Sequence, residues 1–160
     1  MDAREVRELE ARKRASTGQL LLRAARLMNE EAVARIREAG LSQLRVGHMA
    51  VFPHLDMTGN RLTELARRMG ITKQGVGQIV SDLVEMGVVE RRRDPSDGRA
   101  RLVCFTPQGE RALHQGLSVL EQLEAELAGQ IGVPAMDRLR SALGRLLGAL
   151  EATAEDRGGS

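Results

Sequence analysis

The sequence is poor in the residues that usually announce a function. In 160 residues there is one cysteine, no tryptophan, no tyrosine and two phenylalanines, Phe52 and Phe105. The single Cys104 excludes an internal disulfide framework, and a chain of this length buries enough surface to fold without staples. The scarcity of aromatic rings argues against a stacking platform for single-stranded nucleic acid. It also argues against an aromatic cage for a cation. Apolar runs fall far short of the roughly 20 residues that span a bilayer, so no membrane partner is expected. The opening MDAREVRELEARKR has no apolar core, and a secretory leader is not expected. His48, His54, His114 and Cys104 lack metal-ligand spacing. Gly75-Val76-Gly77-Gln78-Ile79-Val80 lacks the third glycine of a dinucleotide fingerprint and falls in a helical pattern. Neither a Gly-x-Ser-x-Gly elbow nor a Walker loop occurs. Without a catalytic constellation, the sequence predicts neither an enzyme nor a cofactor.

Charge is nearly balanced, with 24 Lys+Arg against 22 Asp+Glu. The excess of two does not by itself call for nucleic acid. Lys13 and Lys73 are the only lysines, the remaining bases being arginine. Arginine's planar fork suits phosphate and guanine, although the codon bias of a genome produces the same skew.

Periodicity is mostly helical. Residues 1–15 are charged and read as a helical lead-in or a loose arm. Leu20, Ala24, Leu27, Met28, Val33 and Ile36 mark a long amphipathic helix that ends near Gly40. Leu41 to about Asp56 reads as a second helix, interrupted or kinked by Pro53. Leu62, Leu65, Ala66 and Met69 give a short helix stopped by Gly70. Thr72 caps the next helix, whose buried face is Val76, Ile79, Val80, Leu83 and Val84, and Gly87 ends it. Two short helices joined this tightly form a helix-turn-helix. The period then drops to two. Val88 to Arg93 and Arg99 to Phe105 flank the turn residues Asp94-Pro95-Ser96-Asp97-Gly98, which predicts a β-hairpin. Thr106-Pro107 restarts helix. Leucine stripes at Leu113 to Leu127 and Met136 to Leu150 mark two long helices.

The fold class is therefore mostly α with a small β-wing: a winged helix-turn-helix plus long dimerisation helices. The expected segments are 1–40 (N-terminal dimerisation helix region), 41–106 (DNA-binding lobe), 107–151 (C-terminal dimerisation helices) and 152–160 (a frayed tail). The long helices carry more apolar face than a small winged helix covers, and a second copy is the simplest partner.

Between about residues 41 and 110 the chain resembles the MarR family of winged-helix transcriptional regulators. The likeness rests on Leu62-Thr63-Glu64-Leu65-Ala66-Arg67-Arg68-Met69-Gly70-Ile71-Thr72-Lys73-Gln74 and on Leu83 through Arg91. It continues in the wing, Asp94-Pro95-Ser96-Asp97-Gly98-Arg99-Ala100-Arg101-Leu102-Val103, and the exit Phe105-Thr106-Pro107-Gln108-Gly109. The resemblance implies a cytoplasmic homodimer that binds pseudo-palindromic duplex DNA, usually as a repressor, and in many relatives is released by a small aromatic ligand. His48 is the candidate ligand contact.

In a helix-turn-helix the second helix reads base edges. Lys73, Gln74, Gly77, Gln78 and Ser81 fall opposite its apolar face. Gln74 and Gln78 are four apart, share a face, and suit adenine. Thr72, Lys73 and the helix N-terminus suit phosphate. Gly75 and Gly77 cost helix propensity, about 1 kcal/mol each against alanine, but allow close backbone approach to DNA. In the wing, Arg99 suits a narrow minor groove, with Asp97 holding its guanidinium or shaping the turn. Arg91, Arg92 and Arg93 are candidate phosphate contacts. Arg61, Arg67 and Arg68 are as readily structural. Cys104 is either a small packed side chain or a redox thiol. The competing function is a winged-helix protein-interaction module that does not read DNA.

Overall fold

The computed structural model describes residues 1–158, apart from the side chains of Glu155 and Arg157. The described helices are α1 (Ala3–Ala15), α2 (Thr17–Glu38), α3 (Val46–Met49), α4 (Leu62–Met69), α5 (Lys73–Glu85), α6 (Pro107–Ile131) and α7 (Val133–Gly158). The strands are β1 (Asn60–Arg61), β2 (Val89–Asp94) and β3 (Asp97–Phe105). The chain divides into two compact units, residues 1–119 and residues from 120 onward.

In the first unit, α1 is helical rather than a loose arm, because its ends are satisfied locally. Asp2 accepts the N–H groups of Arg4 and Glu5, and Glu5 accepts the N–H of Asp2 at 2.8 Å, a reciprocal cap. No residue of α1 is buried. α2 turns inward only in its second half, where Ala32, Val33 and Ile36 are buried.

The expected helix over Leu41 to Asp56 is not there. Only α3 and a 3₁₀ turn, Phe52–His54, are helical in that stretch. Leu44, His48, Val51 and Leu55 are buried, at separations of four, three and four that imitate helix periodicity. Successive single turns deliver the same inward spacing, and Pro53 lacks the N–H that a continuous helix needs.

The main core joins Val51, Leu55, Leu65, Ala66, Val76, Val80, Leu83, Val88, Val89, Val103 and Phe105. Each fully buried side chain of this size contributes roughly 1.5–3 kcal/mol. The only two aromatic rings, Phe52 and Phe105, stack with centroids 6.2 Å apart.

The helix-turn-helix forms as its punctuation demands. Gly70 takes a left-handed φ of 64°, and the N–H of Ile71 closes back on the Ala66 carbonyl at 3.2 Å. Thr72 Oγ1 accepts the Gly75 N–H at 3.1 Å. The helix runs through Gly75 and Gly77 without interruption.

The sheet is antiparallel in the order β1-β3-β2. β1 has no counterpart among the expected strands, since two residues carry no period. β3 begins at Asp97, two residues before the expected start, which tightens the wing turn. At the wing's exit, Thr106 Oγ1 donates to the Gly87 carbonyl at 2.6 Å and accepts the Gly109 N–H at 2.9 Å.

In the second unit α7 follows the end of α6 after Gly132, whose φ is 90°. Arg140 of α7 bonds Glu124 of α6 at 2.9 Å. α7 extends to Gly158 and absorbs residues 152–158 of the expected tail, because Glu151-Ala152-Thr153-Ala154 contain no helix breaker. Residues 159–160 lie outside the described residues. Leu139, Leu143, Leu146, Leu147 and Leu150 remain exposed along α7.

Candidate nucleic-acid interface

α5 separates its faces by its sequence spacing, except that Val84, expected on the buried face, is exposed and Ile79 is only half-buried, because both lie at the edge of the apolar stripe. Val76, Val80 and Leu83 are fully buried. Thr72, Lys73, Gln74 and Gln78 are exposed, while Gly77 and Ser81 are half-buried. Lys73 and Gln74 have no side-chain partner among the described residues. Gln78 is engaged: its Nε2 donates to Asp82 Oδ1 at 2.9 Å. Ser81 Oγ donates to the Gly77 carbonyl at 2.8 Å and accepts from Arg91 Nη2 at 3.0 Å. That last bond ties strand β2 to α5.

Strand alternation then sorts the wing. The pairs Val89↔Phe105, Arg91↔Val103 and Arg93↔Arg101 are directly opposite, so they share one face of the hairpin. Arg99 lies where the register shifts, between the Arg93↔Arg101 and Asp94↔Asp97 pairs, and is exposed near the wing tip. The paired face is apolar at the root, where Val89, Val103 and Phe105 enter the core, and carries Arg91, Arg93 and Arg101 further out. The Arg91–Ser81 bond makes it continuous with α5. Arg93, Arg99 and Arg101 have guanidinium groups without a partner among the described residues.

Arg92 does not join them. It alternates to the opposite face and bonds its neighbour Glu90 through Nε at 2.8 Å. Grouping Arg91, Arg92 and Arg93 as equivalent contacts ignores the period of two. Arg101, not singled out in the sequence, faces Arg93 directly across the hairpin, a pairing that shows only once the strands are in register.

Asp97 shapes the turn and does not hold the Arg99 guanidinium. Its Oδ1 accepts the Arg99 backbone N–H at 3.1 Å, and its Oδ2 lies 3.5 Å from Arg61. Arg61 belongs mainly to Asp94, with Nε at 2.7 Å and Nη2 at 2.6 Å. Asp94, expected from the sequence as a turn residue, is buried, 6% exposed. The Ser96 hydroxyl and N–H, then Arg61, hold its carboxyl at about 2. This cluster pins the turn end of the wing to Arg61 at the start of α4. Arg67 and Arg68 both bond Glu64 and lower its carboxyl to about 2. Arg68 also bonds Asp56 at 2.9 Å.

His48 is 3% exposed. Its Nδ1 accepts the Arg45 N–H at 3.1 Å, and its Nε2 lies 3.2 Å from Asp82 Oδ2. Both ring nitrogens are therefore engaged within the protein, so a polar contact to a ligand would displace one of these bonds. Cys104 is buried at the wing's root, where a Cβ on Gly59 would lie 2.5 Å from its Sγ. Among the described residues no three His, Cys, Asp or Glu side chains are grouped to hold a metal ion. No described helix is long and apolar enough to cross a membrane.

The family profile of MarR regulators matches residues 56–100, from before β1 to the wing tip. An uncharacterized protein of Mycobacterium tuberculosis is 30% identical over 127 residues, 76% of this chain and 89% of that protein. The chain belongs to the MarR family. An uncharacterized HTH-type transcriptional regulator of Bacillus subtilis, YdgJ, is 26% identical over 107 residues, 67% of this chain and 64% of that one. Among solved structures, the repressor CouR bound to a 23-mer DNA duplex superposes with a TM-score of 0.62 at 23% identity, covering 85% of this chain and 95% of CouR. The Mycobacterium tuberculosis MarR family protein Rv2887, in complex with salicylic acid, gives 0.63 at 23% identity, covering 82% and 96%. CouR from Rhodococcus jostii RHA1 has also been solved bound to p-coumaroyl-CoA, with a TM-score of 0.62 at 24% identity over 81% and 90%. These structural likenesses establish the MarR winged-helix fold.

Proposed function

We propose that this MarR protein is a repressor that binds a pseudo-palindromic operator as a homodimer. Gln74 and Gln78 read base edges in the major groove. Thr72, Lys73 and the N-terminus of α5 hold phosphate. Arg91, Arg93 and Arg101 contact the backbone, and Arg99 enters the flanking minor groove.

The observation that carries this reading is the pair Arg93↔Arg101, directly opposite on the wing face that meets α5. Like charges facing across an antiparallel pair destabilise a sheet. A polyanion on that face offsets the repulsion. Exposed leucines on α2 (Leu20, Leu22, Leu27) and along α7 support a second copy as partner. The salicylate and p-coumaroyl-CoA complexes of relatives support release by a small aromatic ligand, although the bonds of His48 favour a structural role for that ring.

The test is selection of bound duplexes from a random pool, followed by anisotropy titration of the winner and a scrambled duplex. A palindromic winner bound about a hundredfold tighter or better, well within the range of specific over non-specific binding, is the expected result. Light scattering of the free protein and of the complex checks two protomers per duplex. Weak, salt-sensitive binding without enrichment would sink the reading.

A further inference from the structure

Gln78 is held from one side only. Its Nε2 donates to Asp82 Oδ1 at 2.9 Å, one turn further along α5. The other oxygen of Asp82 lies 3.2 Å from His48 Nε2 and 3.8 Å from Arg45 Nη1. The Arg45 backbone N–H donates to His48 Nδ1. A ring nitrogen that accepts carries no proton, so neutral His48 keeps its proton on Nε2 and donates to Asp82. The ring is buried, so this orientation is fixed by packing as well. Asp82 is thus braced from behind by the α3 segment and grips Gln78 in front.

A glutamine amide has two orientations that differ by exchange of Oε1 and Nε2. An ionised carboxylate only accepts. It therefore selects the orientation with Nε2 toward it and disfavours the one that sets Oε1 against it. One Nε2 hydrogen and Oε1 stay available, which is the donor–acceptor pair that adenine N7 and N6 require.

We infer that Asp82 is a positioning residue for base recognition, fixing the amide of Gln78 so that each recognition helix prefers adenine at one position of its half-site. The inference rests on the reading of α5 as the base-reading helix. The plainer role of Asp82, an i,i+4 helix pair, affects stability and leaves base preference alone.

Asp82→Asn separates the two roles. Asparagine keeps the shape, but its oxygen is claimed by the His48 Nε2–H, which leaves its amide group facing Gln78. Gln78 then turns Oε1 inward and presents two hydrogens outward, matching the N7 and O6 acceptors of guanine. The experiment is a competition titration of parent, Gln78→Ala, Asp82→Ala, Asp82→Asn and the Gln78→Ala/Asp82→Ala double variant. The probes are the selected operator and duplexes carrying each base at each half-site position.

The parent should prefer adenine roughly tenfold at one position per half-site. Gln78→Ala and Asp82→Ala should each lower that preference to about threefold or less, with no further loss in the double variant. Asp82→Asn should move the preference toward guanine at the same position. Folding is checked by circular dichroism and by retained affinity for a scrambled duplex, and if Asp82→Ala fails that check the isosteric Asp82→Asn carries the test. Folded Asp82 variants that keep the parent's preference while Gln78→Ala loses it would overturn the inference. So would a Gln78→Ala variant that keeps the preference. If the parent enriches no duplex at all, the reading of α5 itself has failed, and this inference falls with it.

Discussion

Gly109 gives the sharpest test of how the wing is joined to α6. It lies in the first turn of α6 and is buried. A Cβ built there would stand 1.8 Å from the Val88 carbonyl oxygen, 2.8 Å from the carbonyl carbon and 3.2 Å from Cα, all backbone atoms. Those atoms cannot swing aside as a side-chain tip can. Val88 is fixed by its own bonds: its carbonyl accepts the Thr106 N–H at 3.1 Å and its N–H donates to the Leu83 carbonyl at 2.9 Å. Alanine at 109 must therefore push the start of α6 off the root of β2. Two bonds of Thr106 then stretch, the one to Val88 and the one to Gly87, at about 0.5–1.5 kcal/mol each. Overpacking adds about 1–3 kcal/mol, and alanine returns at most about 1 kcal/mol of helix propensity. The net expectation for Gly109→Ala is a loss of about 1–5 kcal/mol. Gly77→Ala is the matched control. Its Cβ would meet only Leu62 Cδ2, at 3.8 Å, an ordinary contact, so propensity dominates and the variant should gain about 0.5–1 kcal/mol. The assay is urea unfolding followed by circular dichroism at fixed protein concentration, comparing midpoints at a common slope. A Gly109→Ala protein as stable as the parent would refute the reasoning, as would two variants that shift in the same direction.

Three further outcomes are expected. Arg99→Ala should weaken operator binding about tenfold or more with the fold intact, because an arginine in a narrow minor groove meets an enhanced negative potential; equal affinities in matched salt would count against it. Arg101→Ala should weaken operator and scrambled duplexes alike and reduce the salt slope by about one, while relief from Arg93 raises stability by about 0.2–1 kcal/mol; titration across salt and a urea midpoint check both parts, and a stability loss would contradict the facing pair. For Asp94, folding lowers the carboxyl from 3.8 to about 2, so its contribution is complete above the usual carboxylate range and is lost as pH falls toward 2. Asp94→Asn should therefore be less stable than the parent at neutral pH and lose less on acidification between about pH 4 and 2; parallel pH profiles would defeat this.

The helix-turn-helix was legible because each boundary has a chemical cause within a few residues. Gly70 supplies the left-handed stop, Thr72 the cap, and Val76, Val80 and Leu83 the period. The segment from Leu41 to Asp56 was misleading for a physical reason. Burial at Leu44, His48, Val51 and Leu55 produces a helical spacing whether the backbone is one helix or a chain of single turns. β1 and the Asp94–Arg61 cluster were hidden because each depends on a distant partner, β1 on Val103 and Leu102 of β3 and Arg61 on Asp94, 33 residues on, pairings that no local pattern encodes. The grip on Gln78 was half visible: Asp82 stands four residues on, but His48 behind it comes from α3 and appears only once the chain is folded.

The basic residues show what folding adds to composition. A net charge of two cannot distinguish a DNA-binding surface from an ordinary solvated one, because many of the arginines have acidic neighbours. Arg61, Arg67, Arg68 and Arg92 are each within bonding distance of a carboxylate, and their charge is largely compensated on the protein. Lys73, Arg93, Arg99 and Arg101 have no such partner among the described residues, and Arg91 bonds only the neutral Ser81. Within residues 60–105 the uncompensated set lies on α5 and the wing. Local field, not net charge, determines where a polyanion docks. The same arrangement leaves Arg93 and Arg101 facing each other across the strands, so the free protein carries a repulsion that a bound phosphate would relieve. Stability and DNA affinity are therefore opposed at this pair, and a substitution there should move them in opposite directions.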